Sequence, residues 1–329
     1  MQTPKLSIIT VNYRGWVPLE RCLNSLRSLD PTDFLFEVII VDNFSNDGKL
    51  DEFKARYTEF TFVESEGNYG FSNGNNLGAK HATGEYLLFL NSDTVVTMEP
   101  LLGMLNLAQQ NTQYAIVSAQ QKGLDGRDEN PFDVFPSIWT INSIVKSVYG
   151  AISKKKLAAR CKNNQIIFPD WVSGSLVLIS RTVFDQLKGW DEDFWLYYED
   201  VDLCKRAKDM GGIVALQCSP SIIHQHGGTT RRTLKLTAFY KAQVIISRHI
   251  YFRKHYSGIH NFILQSFLIL NTLILDNLIP ALFGLVFYPF GSPRKYLFVY
   301  FNLLEYYFNA IKKHSWLIDT MNVKLPEKK

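Results

Sequence analysis

The chain is sparing with the residues that staple small folds. Its 329 residues include four cysteines, Cys22, Cys161, Cys204 and Cys218, none in a CxxC or other metal-ligand spacing. A disulfide mini-protein is excluded, and the four are expected to be reduced thiols of a cytosolic protein. The first residues, MQTPKLSIITVNY, enter a strand without the basic-then-apolar pattern of a secretory leader, so secretion is not expected. No internal repeat or low-complexity tract is present. With 46% hydrophobic and 20% charged residues, disorder and a collagen-like chain are also excluded. Neither a Walker loop nor a G-x-G-x-x-G placed straight after a strand occurs. What remains is one large or two smaller domains, long enough to bury a core unaided.

Charge is divided unevenly. The net +4 combines −6 over residues 1–226 with +10 over residues 227–329. An acidic first part and a basic, aromatic tail imply two tasks, with division expected at 1–230 and 231–329. Basic charge alone attracts nucleic acid, anionic lipid or phosphorylated substrates. Nucleic acid is disfavoured, because the tail's aromatics sit in apolar helical stretches without interleaved basic residues.

Leu6–Val11, Phe36–Val41 and Tyr86–Leu90 are continuous apolar runs, as expected for parallel strands buried on both faces. Pro18–Leu29 has Leu19, Cys22, Leu23 and Leu26 at helical spacing. Strand, helix, strand predicts a doubly wound α/β sheet, whose ligands bind beyond the C-terminal strand ends. Residues 138–164, with lysines at 154–156, read as helix or loop. Trp171–Ser180, Arg181–Leu187, a helix near Asp200 and a strand at Gly212–Gln217 follow. From about Leu234 the chain reads as helix almost to its end.

The strand ends carry the chemistry. The first ends in Thr10-Val11-Asn12-Tyr13 and the second in Asp42-Asn43-Phe44-Ser45, which either rim a crevice or form an Asx-type turn. Gly67–Gly78 is rich in Gly and Asn, permitting close backbone approach at a helix start. Asn91-Ser92-Asp93 is a short polar turn of the kind that holds Mg²⁺ or Mn²⁺ beside phosphates, or simply a turn aspartate. In Trp190–Leu203, apolar walls around six carboxylates raise carboxylate pKa values and suit a general base, while Glu199, Asp200 and Asp202 also suit capping of a helix. His224 and His226 follow a strand, where one could complete a metal shell.

As a set, TVNY, VDNFSND, GNYGFSNGNN, LNSD, GSLVLISR, GWDEDFWLYYEDVDL and HQHGG resemble a family 2 glycosyltransferase of the GT-A fold. The resemblance covers about residues 4–260 and is nearest to the bacterial rhamnosyltransferase-like branch that builds cell-surface polysaccharide. It implies a doubly wound mixed sheet with a C-terminal helical, apolar extension. It implies a nucleotide pocket of Thr10, Asn12, Tyr13, Asp42, Asn68, Asn75 and Ser92. Asn91-Ser92-Asp93 matches the family's DXD element, with Asp93, supported by Asn91, as metal ligand and His224 or His226 as the later one; Asn in place of the first Asp is a departure. Trp171, Gly174 and Ser175 would lie near donor sugar or acceptor. Asp200 matches the general base, with Glu199 as the fallback. The implied cofactor is Mn²⁺ or Mg²⁺, and the implied partners are a UDP- or dTDP-sugar and a glycan or polyprenyl-diphosphate-linked glycan. A sugar nucleotidyltransferase lacks its Gly- and Lys-containing signature at the first strand end. A non-catalytic sugar- or nucleotide-binding module of the same fold is the other reading.

In the tail, Phe262–Phe290 is very apolar, yet Asp276 interrupts it and leaves about 14 residues on either side, short of the roughly 20 needed to span. Asn261, Gln265, Thr272 and Asp276 fall on one narrow seam of a helical wheel. Asn302, Glu305 and Asn309 repeat the theme, with Arg294, Lys295, Lys312 and Lys313 as basic flanks. This patterning predicts peripheral contact with the cytoplasmic face of the cell membrane, or with a second copy in a homo-oligomer.

Overall fold

The computed structural model describes residues 5–30, 32, 34–142, 145, 158–162, 166–225, 233–288 and 291–326. The chain divides into two compact units. One comprises Met1–Phe135, Ser153–Glu192 and Glu199–Thr230; the other takes Pro136–Ile152, Asp193–Tyr198 and Arg231–Lys329.

The first unit alternates strands and helices in chain order: β1 (Leu6–Asn12), α1 (Trp16–Arg27), β2 (Phe36–Asp42), α2 (Leu50–Arg56), β3 (Thr61–Glu64), α3 (Phe71–His81) and β4 (Tyr86–Leu90). There follow β5 (Thr94–Val95), α4 (Met98–Gln110), β6 (Tyr114–Lys122), β7 (Phe132–Asp133), β8 (Ile166–Ile167) and β9 (Trp171–Val172). β10 (Leu176–Ser180), α5 (Arg181–Gln186), α6 (Glu199–Asp209) and β11 (Ile213–His224) complete it. The main sheet has the order β3-β2-β1-β4-β10-β6-β11-β5, with β8 paired to β11. β3, β2, β1 and β4 run parallel, whereas β10 enters antiparallel between β4 and β6.

Strand periodicity sorts the apolar runs onto two faces. Ile8, Val38, Ile40, Leu88 and Leu90 pack with Leu19, Leu23 and Leu26 of α1 and Met104 of α4. Ile9, Ile39, Leu87 and Phe89 face the other way, against Ala79 of α3, Phe184 of α5 and Leu203 of α6. The mixed, doubly wound sheet with its helical C-terminal extension is therefore present.

Gly74 and Gly78 decide how close α3 can lie. A Cβ at Gly78 would sit 2.4 Å from Ile9 Cγ2, and one at Gly74 would sit 2.9 Å from Val11 Cγ1. These glycines let the helix touch the sheet, which is a packing role within the glycine-rich stretch.

Two expectations change. Cys161 and Cys218 are joined by a disulfide across 57 residues, so the four cysteines are not all reduced; Cys22 and Cys204 are free and buried. Spacing in sequence could not show the pair, because β11 brings it together in space. The lysines at 154–156 lie outside the described residues, as does most of 138–164, of which Ile138–Thr140 is a 3₁₀ turn.

The second unit contains α7 (Leu234–His255), α8 (Gly258–Leu270), a π-helical turn (Asn271–Asp276), α9 (Leu278–Val286) and α10 (Gly291–Lys313). The run Gly258–Val286 is 29 residues long and, by length and composition alone, apolar enough to cross a membrane. The run is interrupted at Asp276, where the sequence placed the break, between α8 and α9. The helix widens into a π turn, in which Asn271 donates to Asp276 Oδ2 at 2.7 Å and Asn277 donates to the Thr272 carbonyl at 2.8 Å. The carboxylate is thus satisfied locally.

Candidate active site

Five strands and two helices of the first unit deliver polar groups to one rim of the sheet. At the end of β1, Asn12 donates to Asp42 Oδ1 at 3.3 Å and accepts from Gly15 N at 3.1 Å. Asp42, at the end of β2, also accepts from the Ser45 hydroxyl and from Ser45 N, so the Asx-type turn is real. Burial holds the Asp42 carboxyl above the usual carboxylate range despite these donors. Tyr13 is half-buried beside the Arg14 guanidinium, 5.1 Å from its ring.

Asn43, which the sequence reading did not single out, spans from β2 to the glycine-rich turn. Its amide donates to Asn68 Oδ1 at 3.1 Å and to Gly70 O at 3.0 Å. Gly70 has φ +96°, a conformation that favours glycine and starts α3 here. From α3, Asn73 and Asn76 each donate to a different oxygen of Glu192, both at 2.8 Å. Asn76 also exchanges hydrogen bonds with the backbone of Trp190. The Asn-rich motif thus grips the Trp190–Glu192 turn, which separation by more than 100 residues hid.

Four expected nucleotide or sugar residues make hydrogen bonds within the protein. The Thr10 hydroxyl is fully buried and donates to the Leu90 carbonyl at 2.7 Å. Asn75 donates to Phe71 O one turn back, at 3.0 Å. The buried Ser175 hydroxyl bonds Gln121 and Ser173. Trp171 Nε1 donates to Val134 O at 2.9 Å.

Antiparallel pairing of Leu176 with Leu90 sets the start of β10 beside the end of β4. Asn91 N donates to Ser175 O at 3.0 Å, and Asn91 O accepts from Thr94 N at 3.2 Å and from its hydroxyl at 2.7 Å. This backbone clasp shapes the turn that carries the buried Ser92 and Asp93. Pairing of β11 with β5 places His224 opposite Thr94, and its Nε2 lies 3.2 Å from Asp93 Oδ1. The other ring nitrogen is 3.6 Å from Glu129 Oε2, a partner with no signal in the sequence. His226 lies outside the described residues.

Among the described residues no cluster of three or more His, Cys, Asp or Glu is arranged to hold a metal ion. Asp93 and His224 nonetheless bring a carboxylate oxygen and an imidazole nitrogen to one point. That pair suits Mn²⁺, and Mg²⁺ commonly takes only one or two protein carboxylates and completes its shell from phosphate and water.

Asp200 stands in the first turn of α6. Its Oδ2 accepts from Gly174 N at 2.9 Å and its Oδ1 from Val201 N at 2.8 Å. A Cβ at Gly174 would sit 3.4 Å from Asp200 Cβ and 3.5 Å from the Phe71 ring, so the backbone there approaches the carboxylate as a side chain could not. Burial raises the Asp200 pKa, and the N–H donors oppose the rise. Glu199 is 6% exposed, and its Oε2 has no hydrogen-bond partner. Desolvation and the neighbouring Asp200 push its pKa well above the carboxylate range. Burial and the adjacent Asp200 thus favour the neutral form of Glu199, whereas Asp200 keeps partial exposure and two supporting donors. Asp202 is structural: it is 1% exposed and accepts from Arg206 Nε at 2.7 Å.

The segment from Ser7 to Asp185 carries the sequence pattern of a known family, since residues 7–185 match the family model for glycosyl transferase family 2. The chain belongs to glycosyl transferase family 2. The match ends before Glu199, Asp200 and His224. Relatives of this family 2 chain include the low-salt glycan biosynthesis hexosyltransferase Agl10 of Haloferax volcanii, 27% identical over 62% of the chain and 61% of the relative. The chain thus spans less than two thirds of that protein's length. The N-acetylglucosaminyl-diphospho-decaprenol L-rhamnosyltransferase of Mycobacterium tuberculosis is 24% identical over 78% of the chain and 86% of the relative. Among solved structures, a mannosyltransferase from Pyrobaculum calidifontis in complex with GDP-mannose and Mn²⁺ superposes with a TM-score of 0.53 at 16% identity, over 92% of this chain and 86% of that one. This last likeness bears on the GT-A fold alone.

Proposed function

We propose that this chain is an inverting glycosyltransferase that moves a sugar from a UDP- or dTDP-linked donor to a hydroxyl of a glycan or lipid-linked glycan. The observation that carries the reading is Asp200. It is a carboxylate of raised pKa, held by two backbone N–H groups, on the rim where Asp93 meets His224. Names among the relatives, including one with a diphospho-decaprenol-linked acceptor, support the acceptor class.

In this reading Asn12, Tyr13, Asp42 and Asn68 surround the nucleoside, and Ser92 lies by the diphosphate. A divalent cation, Mn²⁺ or Mg²⁺, would be held by Asp93 and His224 and would neutralise charge on the departing nucleoside diphosphate. Asp200 takes the proton from the acceptor hydroxyl as the oxygen attacks the anomeric carbon from the face opposite the leaving group. Each Asp200 oxygen accepts one backbone hydrogen bond and retains a lone pair for that proton. One displacement inverts the configuration, so no second carboxylate nucleophile is required. Glu199, whose buried carboxyl favours the neutral form and whose Oε2 accepts no hydrogen bond, is the less suited of the pair.

Calorimetry with UDP, dTDP, GDP and CDP, each with and without Mn²⁺, tests the reading. Metal-dependent binding of UDP or dTDP is expected, as is loss of transfer in EDTA. Absence of binding by all four would transfer the chain to the non-catalytic reading of the same fold.

A further inference from the structure

The second unit inverts the usual order of a soluble helical bundle. Gln265 is 4% exposed and donates through its amide to the His249 carbonyl at 2.9 Å, while Asn271 and Thr272 are equally buried. The opposite face of the same helical run is apolar and open. Ile279 is 71% exposed and Phe262 65%, and on α10 Phe301, Leu304, Phe308 and Ile311 form one exposed stripe at three- and four-residue spacing. Among the described residues, most exposed large apolar side chains fall between 259 and 311. Patches of this extent on a water-facing surface mark an interaction site.

Charge identifies what covers it. The α10 stripe is bracketed by Arg294 and Lys295 before it and by the exposed Lys312 and Lys313 after it. Near the first bracket, Lys241 and Lys295 flank the Tyr296 ring at 5.2 and 5.0 Å, and Arg294 lies 5.3 Å from the Tyr288 ring. Basic and aromatic side chains mixed at the border of an apolar surface suit the headgroup layer of a bilayer. A second copy fits less well. Both ends of the stripe are basic, so parallel and antiparallel apposition alike would set like charges together.

We propose that the apolar faces of α8, α9 and α10 insert into one leaflet of an anionic lipid bilayer, with the basic brackets on its headgroups. The helices lie in the interface and do not cross, although Gly258–Val286 is long enough. α8 and α10 pack on α7, which carries Lys235, Lys241, Arg253 and Lys254, and crossing would draw those charges into hydrocarbon. This inference is independent of the catalytic reading and goes beyond it.

Flotation of the full-length chain with phosphatidylcholine vesicles, with and without 30% phosphatidylglycerol, is the test. The chain should float with the anionic vesicles, detach in 0.5 M salt or at alkaline carbonate pH, and sediment as a monomer when vesicles are absent. Replacing Ile279→Ser and Phe308→Ser together should lower the partition coefficient by roughly tenfold or more with an unchanged circular dichroism spectrum and melting curve. Lack of flotation, or flotation indifferent to those substitutions, overturns the proposal. Retention through carbonate overturns it in favour of a span, and a dimer disrupted by the same substitutions overturns it in favour of a second copy.

Discussion

The two units solve opposite problems with the same residue types. In the first, Ile8, Ile40 and Leu88 are sealed inside the sheet and the polar groups gather at its rim. In the second, Gln265, Asn271 and His249 are sealed inside while Ile279 and Phe308 face outward. Composition cannot distinguish these arrangements; only the direction of each amphipathic face can. The first unit is built to expose chemistry, and the second is built to expose grease.

The contrast can be broken most sharply at the rim. Asp200→Asn should lower transfer by roughly 10²–10⁴-fold while UDP or dTDP binding by calorimetry stays within about twofold. The wild-type rate should rise with pH through a limb above the ordinary aspartate range, because burial raises the Asp200 pKa and the ionised form is the base. Intact transfer would remove Asp200 from that role.

Next comes the buried centre of the second unit. The partners of His249 fix a neutral tautomer: Nδ1–H donates to Gln265 Oε1, and Nε2 accepts from the Tyr307 hydroxyl. Burial lowers its pKa to about 3 from 6.5. A depressed histidine contributes stability that is present above the unfolded value and is lost as pH falls from 6.5 towards 3, at up to about 1.4 kcal/mol per pH unit. Urea unfolding of wild type and His249→Gln between pH 4 and 7 should show a steep slope in the first and a shallower one in the second.

A third pair of substitutions compares burial directly. Gly78→Val must displace Ile9 and should cost about 1–3 kcal/mol by urea unfolding, whereas Ile279→Ser should change stability by less than about 0.5 kcal/mol. Equal costs would erase the distinction drawn above. The smallest effect is expected at Glu199, whose raised pKa makes the native state bind a proton the unfolded state has released. Its contribution is present below the ordinary glutamate value and is lost as pH rises. Thermal melts at pH 5 and 8 should therefore show Glu199→Gln to be more stable than wild type at pH 8 only, by on the order of 1 kcal/mol.

Strands β1, β2 and β4 were legible in sequence because strands buried on both faces leave unbroken apolar runs. Their polar ends were legible because the break in each run is abrupt. Asp200 with Gly174, and Asp93 with His224, were each singled out in sequence, and the fold sets the members of each pair in contact. Contacts made only by topology were not visible: Asn76 with Glu192, Glu129 with His224, and Cys161 with Cys218 are joined by strand order. Helical-wheel arithmetic did find the polar seam of Asn261, Gln265, Thr272 and Asp276. It could not tell which way the seam faced, and that orientation sets this unit apart from a soluble bundle.

The reversal of β10 has an evolutionary consequence. β1 and β2 reach the rim by ending there, and each leads into a helix that packs on the sheet, α1 and α2. Gly174 and Ser175 reach the same rim by preceding a strand, and what comes before them is the long excursion from Gly123 to Asp170. Within that excursion β8 is tied to β11 and Cys161 to Cys218, but the Leu176–Leu90 pairing depends on neither link. Selection can therefore vary the length of the chain between those tied points without renegotiating the Leu176–Leu90 pairing.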